Sequence, residues 1–115
     1  KRAQDRAAQS SLRNALTAAK TIYTDNSSYA TATAANLPAI EPSLTYKDAA
    51  VASTGQKDVS VSASDAVWAG AALSKSGKCF MIKETSTAGT TFGSAAPCDG
   101  ATAVGSATAA EFPSS

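Results

Sequence analysis

The chain has 115 residues, about half of them Ala, Ser or Thr, with no histidine and a formal net charge of +1. This length predicts one domain over residues 1–115 with a small hydrophobic core. The absence of histidine excludes a Ser–His–Asp or Cys–His catalytic arrangement and leaves few candidate metal ligands. We therefore expect no enzyme activity, no cofactor and no metal site.

The small net charge hides an uneven distribution of charge along the chain. Residues 1–20 contain five basic side chains and one acidic side chain, Asp5. Residues 21–115 contain five basic and eight acidic side chains. The sequence therefore predicts a basic N-terminal segment followed by an acidic body.

Residues 1–24 have the periodicity of an amphipathic helix, which would be about 36 Å long at 1.5 Å per residue. Apolar side chains gather on one face, and such a face packs on a core. Continued towards the N-terminus, the same face meets Asp5 and Lys1, so the first turns are expected to project beyond the body. The side chains of this face that we expect in the core are Leu12, Leu16, Ala19, Ile22 and Tyr23.

Four cations of the predicted helix share a narrow sector opposite the apolar face, and we call them the basic stripe: Arg2, Arg6, Arg13 and Lys20. One interpretation is a solvated helix face. The other is an electrostatic contact with an acidic partner, which the acidic remainder of the chain favours. Nucleic acid is a less favoured partner, because no aromatic side chain is interleaved with these cations.

The helix is expected to end near Asp25 and Asn26, whose side chains compete with helical hydrogen bonds. Residues 25–57 then contain two prolines, Pro38 and Pro42, and predict an irregular connection across the surface of the body. The apolar side chains expected to hold this connection in place are Leu37, Ile40, Leu44 and Tyr46.

The period of the sequence changes in residues 58–85. The stretch VSVSAS (59–64) alternates strictly, as a half-buried strand does, and AVWAGAALS (66–74) and KCFMIKET (78–85) are two further strand candidates. Short connections between them predict an antiparallel meander. The meander side chains that we expect to face the helix are Val59, Val61, Trp68, Phe80 and Ile82.

Residues 86–115 are rich in Gly and Pro and are expected to form a loop region. Two cysteines alone do not complete the usual tetrahedral zinc site, so a Cys79–Cys98 disulfide is the favoured interpretation and indicates an oxidising compartment. Two free buried thiols are the alternative. A calcium site at Asp99 is a weaker alternative, because the loop offers a single carboxylate.

A helix followed by a meander predicts an α+β roll, in which a long N-terminal α-helix packs on a small antiparallel sheet and a disulfide closes the C-terminal loop.

Two parts of the sequence resemble bacterial type IV pilins, especially those of Gram-positive lineages. AQDRAAQSSLRNALTAAKTIYTDNSSYA (3–30) is similar to the second half of the pilin helix. GKCFMIKET (77–85) with PCDG (97–100) is similar to a pilin strand and its cysteine pair. The order of the elements resembles that of a pilin over nearly the whole chain.

The resemblance implies a structural subunit that polymerises with like subunits into an extracellular, cell-surface filament for adhesion, twitching motility or DNA uptake. It also implies a leader and a hydrophobic helical segment ahead of Lys1. That segment would anchor the subunit in the membrane, engage the pilus assembly machinery and later form the filament core.

Within this framework, we expect the basic stripe to face acidic groups of neighbouring subunits and to help set the register between them. Two other functions fit the sequence. A pseudopilin of a type II secretion system would be favoured by a calcium-bound C-terminal loop. A secreted binding module would be favoured by a platform of exposed aromatic side chains.

Overall fold

The computed structural model describes residues 1–114, which form two α-helices, one short 3₁₀ helix and one five-stranded sheet. In chain order, the elements are α1 (Arg2–Asn26), the 3₁₀ helix (Leu37–Ala39), β1 (Thr45–Asp48), β2 (Asp58–Ala63), β3 (Val67–Leu73), β4 (Cys79–Thr85), β5 (Gly89–Gly93) and α2 (Gly100–Ser106).

The strands lie in the sheet in the same order as in the chain. The pairs β2–β3, β3–β4 and β4–β5 are antiparallel, whereas β1 pairs with β2 in parallel. The predicted α+β class is confirmed: a long N-terminal helix packs on a mostly antiparallel sheet, and β2 to β4 form a meander.

The apolar face of α1 packs on one face of the sheet and forms the main core. Leu12 is fully buried. It packs against β3 at Gly70, where the absence of a side chain leaves room for it. The Trp68 indole N–H donates to the carbonyl of Ala32 at 3.0 Å, which satisfies the buried ring nitrogen. The side chains predicted for this core lie in one buried cluster, with Tyr23 partly buried at its edge: Leu12, Leu16, Ala19, Ile22, Tyr23, Val59, Val61, Trp68, Phe80 and Ile82.

Helix α2 covers the opposite face of the sheet. Its Ala103 is fully buried in a second cluster with Ala69, Ala71 and Met81. The Gly100 N–H donates to the Ser60 hydroxyl at 2.9 Å, so a serine predicted for a polar strand face is fully buried beneath this helix. The sheet is therefore enclosed by helices on both faces.

The C-terminal region differs from the expected loop, because residues 86–114 contain β5 and α2. Asp99 begins α2 by accepting a hydrogen bond from the Thr102 N–H at 2.8 Å. A carboxylate at this position satisfies an N–H of the first helical turn. Asp99 therefore serves as a helix cap, in place of the calcium ligand considered from the sequence.

The predicted disulfide between Cys79 and Cys98 is confirmed, with the two α-carbons 5.6 Å apart. It joins the start of β4 to the residue immediately before the cap of α2. The Cys98 carbonyl also accepts a hydrogen bond from the Ser53 N–H at 2.8 Å. The bridge therefore fixes the entry to α2 against both the sheet and the connecting segment.

The connecting segment is also more ordered than expected, since residues 25–57 contain the 3₁₀ helix and β1. Leu37 and Leu44 are buried and Tyr46 is half-buried, whereas Ile40 is 40% exposed and does not hold the segment in place. Strand β1 escaped prediction because it is four residues long and its partner, β2, begins ten residues after it ends.

Candidate interaction surface at the ends of the long helix

The basic stripe lies beside the apolar face of α1, and the expectation that it lies opposite is wrong. On a wheel of 100° per residue, the stripe is centred roughly 115° from the apolar face. All four cations are exposed. The structure divides them into two pairs: Arg13 and Lys20 contact the body of the same chain, whereas Arg2 and Arg6 lie near the helix N-terminus.

Arg13 packs over two aromatic rings of the C-terminal half. Its guanidinium carbon lies 5.1 Å from the centroid of the Phe112 ring and 5.3 Å from that of the Phe92 ring. Such cation–π contacts are worth about 0.5–1 kcal/mol at exposed sites. Lys20 lies 4.0 Å from a carboxylate oxygen of Glu84. These two members of the stripe therefore contact groups of their own chain.

One ring under Arg13, that of Phe92, lies in β5, and the other, that of Phe112, lies in a segment that follows α2 and returns to the sheet edge. Ala109 forms a bridge with Phe92, and Phe112 packs edgewise on Phe80 with the ring centroids 5.9 Å apart. Covering β5 in this way protects an edge that would otherwise pair with other strands. The sequence pattern does not predict this segment, because Phe112 does not lie in a periodic stretch.

The first turns of α1 do not project beyond the body. Asp5 is only 2% exposed, and its carboxylate accepts hydrogen bonds from the hydroxyls of Ser74, at 2.7 Å, and Ser76. Both serines belong to the turn between β3 and β4, in which Gly77 has a φ of +94°. The prediction failed because an acidic residue on the apolar face was taken for an exposed one, whereas the turn supplies hydroxyl donors for it.

The contacts of Asp5 bring several cations to one end of the molecule, which we call the basic end. Lys1 and the first two turns of α1 contribute three of these cations, and the β3–β4 turn contributes Lys75 and Lys78. Lys57 lies at the same end of the sheet, because the start of β2 pairs with the end of β3. Lys78 in the turn also donates to the Ser114 carbonyl. The members of the basic end are Lys1, Arg2, Arg6, Lys57, Lys75 and Lys78.

A second buried carboxylate at this end, Asp58, is fully engaged within the chain. It lies 3.0 Å from the Lys47 ammonium and accepts from the Thr45 hydroxyl and from the N–H and hydroxyl of Thr54. Burial raises the pKa of Asp58, but these donors, led by the Thr54 N–H, outweigh burial and hold the pKa below its ordinary value. The carboxylate therefore stays ionised and fixes the start of β2.

The opposite end of the molecule carries acidic groups, and we call it the acidic end. Asp25 lies exposed in the last turn of α1, and Asp65 lies exposed in the β2–β3 turn. A hydrogen bond of 2.9 Å from the Tyr29 N–H to the Asp65 carbonyl places that turn beside the end of α1. Glu84 is buried nearby. The pKa of Tyr29 is raised, first by the burial of Tyr29 itself and then by the negative charge of Glu84.

Two shallow depressions lie on the described surface along α1. One is lined by polar groups of the first helical turns and by Pro113 and Ser114, and another lies between α1 and the segment around Ile40 and Glu41. Within residues 1–114, no group of three or more His, Cys, Asp or Glu side chains could hold a metal ion. No helix of the described chain has both the length and the apolar character needed to cross a membrane.

A scan against protein-family models, a search of curated proteins and a search of solved structures each find no match for this chain.

Proposed function

We propose that this chain is a structural subunit of an extracellular type IV pilus filament, in which it packs helically with like subunits. One observation carries the proposal: α1 is 25 residues long, which at 1.5 Å per residue is about the 38 Å of the longest molecular dimension, and its exposed side chains leave one side of it uncovered. A helix placed in this way is the natural element for packing copies around a common axis.

The uncovered side of α1 is suited to close packing. It carries short polar side chains whose hydroxyls bond to carbonyls of the same helix: Thr17 to Arg13 at 3.0 Å, Thr21 to Thr17 at 3.1 Å and Thr24 to Lys20 at 2.9 Å. Because these hydroxyl donors are satisfied within the helix, a neighbouring subunit could cover them without leaving a donor unpaired. No large aromatic platform competes with this side as a binding surface, since Trp68 is fully buried.

The disulfide supports an extracellular filament. Cys79 and Cys98 are bonded to one another, and such bonds persist in oxidising compartments outside the cytosol. Adhesion, twitching motility and DNA uptake are the activities that we propose for the filament.

The proposal is tested on cells that produce this chain naturally. Filaments are sheared from the surface, and an antibody raised against the chain is used for immunogold electron microscopy, with mass spectrometry of the sheared fraction. We expect gold particles at regular intervals along filaments, abundant peptides of this chain, and loss of both signals after deletion of the gene and their return on complementation.

Each alternative function gives a different result in the same experiment. A pseudopilin would remain in the cell envelope, and its deletion would abolish protein secretion without removing surface filaments. A secreted binding module would be recovered as a monomer from the culture medium. Either result would refute the assignment to a pilus filament.

A further inference from the structure

The charges of α1 oppose the usual arrangement of charges on a helix. The peptide dipoles make the N-terminus of a helix positive and its C-terminus negative, so acidic residues are normally favoured at the start and basic residues at the end. Here Lys1, Arg2 and Arg6 surround the start, and the last turn contains Asp25 and no basic residue. Asp5 is the acidic residue of the first turn, and it is buried against the β3–β4 turn.

The rest of the molecule adds further positive charge near the start of α1 and further negative charge near its end. At the basic end, Lys75 is exposed in the turn that contacts Asp5, Lys57 is exposed where β2 begins, and Asp58 is buried against Lys47. At the acidic end, Asp65 is exposed beside Asp25. The separation of side-chain charge and the helix dipole therefore point the same way along α1.

Such an arrangement costs some stability in an isolated subunit, because each helix end carries side-chain charge of its own sign. Local rules of this kind are broken where a surface has another role. A second copy of the same chain satisfies both ends at once, since the basic end of one copy is complementary to the acidic end of the next.

We propose that copies of this chain associate end to end, with the basic end of one copy docked on Asp25 and Asp65 of the next. The two surfaces differ, so the contact is heterologous and leaves a free end on every copy, which produces an open chain of subunits. The inference rests on the filament function proposed above and adds to it the direction and the register of packing. The stripe members Arg13 and Lys20 take no part, because they contact their own subunit.

Zero-length carbodiimide cross-linking of the 115-residue chain tests this contact directly. The reagent joins a lysine amine to a carboxylate that touches it. Within one copy, the two ends of α1 are about 36 Å apart at 1.5 Å per residue, so a bond between the ends must join two copies. We expect cross-links from Lys57 or Lys75 to Asp25 or Asp65, and mixing ¹⁴N- and ¹⁵N-labelled chains should give peptide pairs of mixed label.

The same sample contains its own positive control. Lys20 and Glu84 lie 4.0 Å apart within one copy, and Lys47 and Asp58 lie 3.0 Å apart. Their cross-links should form in peptides of a single label and depend little on protein concentration. The end-to-end cross-links should fall about tenfold when the ionic strength rises from 0.01 M to 0.15 M, since the screening length shortens from about 30 Å to about 8 Å.

Charge reversal separates specific docking from general attraction. Arg2→Glu with Lys75→Glu leaves four cations against two new carboxylates at the basic end and so weakens its positive charge, and Asp25→Lys with Asp65→Lys replaces both exposed carboxylates of the acidic end with cations. Each variant alone should stay monomeric in sedimentation velocity at low ionic strength, whereas an equal mixture of the two should associate. Arg2→Glu and Asp25→Lys each place a favourable charge at a helix end, so neither should unfold the chain.

A control variant has the same change in net charge as Asp25→Lys with Asp65→Lys but leaves both ends of the molecule unaltered. Asp48 is exposed on β1 opposite Val61, and Glu41 lies beside the middle of α1, so Asp48→Lys with Glu41→Lys should still give the end-to-end cross-links of the unaltered chain. Two results would overturn the inference: single-label cross-links alone at every ionic strength, or equal loss of association in the control. Immunogold-labelled filaments obtained together with either result would leave the pilus function standing and remove only the end-to-end register.

Discussion

Asp5 illustrates how a single buried carboxylate positions the N-terminal half of α1. Its Oδ1 accepts hydrogen bonds from the hydroxyls of Ser74 and Ser76, which lie 69 and 71 residues away in the chain. Both hydroxyls belong to the turn between β3 and β4. The contact therefore decides that the start of the helix lies against the sheet instead of extending into solvent.

Replacing Asp5 should destabilise the fold. In Asp5→Ala, the buried Ser74 hydroxyl loses its acceptor, and we expect the free energy of unfolding to fall by about 1–3 kcal/mol, measured by urea denaturation. The exposed neighbour provides the control, because Arg6→Ala should change the free energy by about 0.5 kcal/mol or less. Equal effects of the two substitutions would show that the Asp5 contact contributes nothing to stability.

Asp58 predicts a dependence of stability on pH. Its pKa is lower in the folded chain than the ordinary aspartate value of about 3.9, so its stabilising contribution is complete above that value. The contribution is lost as the pH falls through the lower, folded pKa. Below about pH 4, the unaltered chain should therefore lose unfolding free energy more steeply than Asp58→Asn.

The comparison requires urea denaturation of both chains at a series of pH values. The exposed Asp48 provides the matched variant, and Asp48→Asn should follow the pH profile of the unaltered chain. Parallel profiles for Asp58→Asn and the unaltered chain would contradict the assigned role of the Thr54, Thr45 and Lys47 donors.

At the scale of elements, the short helix α2 depends on close contact between backbones. A Cβ atom added at Gly100 would lie 2.6 Å from the Ser62 nitrogen, and one added at Gly93 would lie 2.3 Å from the Ser106 carbonyl oxygen. Real Cβ atoms do not approach backbone so closely, so either substitution must push α2 away from the sheet. The sheet side of this contact includes the small side chains of Ala69 and Ala71.

Two glycine-to-alanine substitutions in α2 should distinguish the effect of close backbone contact on stability from the effect of helix propensity. Gly100→Ala should destabilise the chain by about 1–3 kcal/mol, because the displaced helix leaves the second cluster underpacked. Gly105→Ala, in the same helix with nothing within 4 Å of the added atom, should instead stabilise by up to about 1 kcal/mol. Denaturant unfolding measures both, and a stabilising Gly100→Ala would refute the close docking of α2.

At the scale of the whole molecule, the disulfide joins the sheet to the start of α2. Cys79 begins β4, and Cys98 immediately precedes the cap of α2. The bridge closes a loop whose ends are 19 residues apart in sequence and which includes β5. Loop closure of this length stabilises a fold by roughly 3 kcal/mol in the chain-entropy model.

Removing the bridge should weaken the whole fold. Treatment with a reductant should lower the unfolding free energy of the unaltered chain by roughly 3 kcal/mol, measured by denaturant titration. The double variant Cys79→Ser, Cys98→Ser should already be weakened and should not respond to the reductant. A reductant effect on that double variant, or none on the unaltered chain, would disagree with a stabilising bridge.

The elements that could be predicted from sequence are those with a long local pattern. Residues 1–24 repeat apolar side chains at helical spacing, and 59–64 alternate at strand spacing, so α1 and the central meander were found. Strands β1 and β5 have four and five residues and α2 has seven, which is too short for a period to emerge. Asp99, three residues before Thr102, was the available start signal for α2.

The candidate surface was predicted only in part. The sequence alone placed Arg2, Arg6, Arg13 and Lys20 on one sector of a helix, because that depends on spacing within one element. It could not show that Phe112 contacts Arg13 and that Glu84 contacts Lys20, since both contacts depend on the fold of the whole chain.

By itself, the sequence therefore determined the class of the fold, the amphipathic N-terminal helix, the central meander and the pairing of the two cysteines, because each depends on spacing or composition read within the chain. The tertiary structure alone decided that Asp5 is buried, that α2 covers the second face, and that the charges separate into a basic and an acidic end. The physical reason is that burial and surface charge depend on contacts between residues far apart in the chain, such as Asp5 with Ser74 and Tyr29 with Asp65.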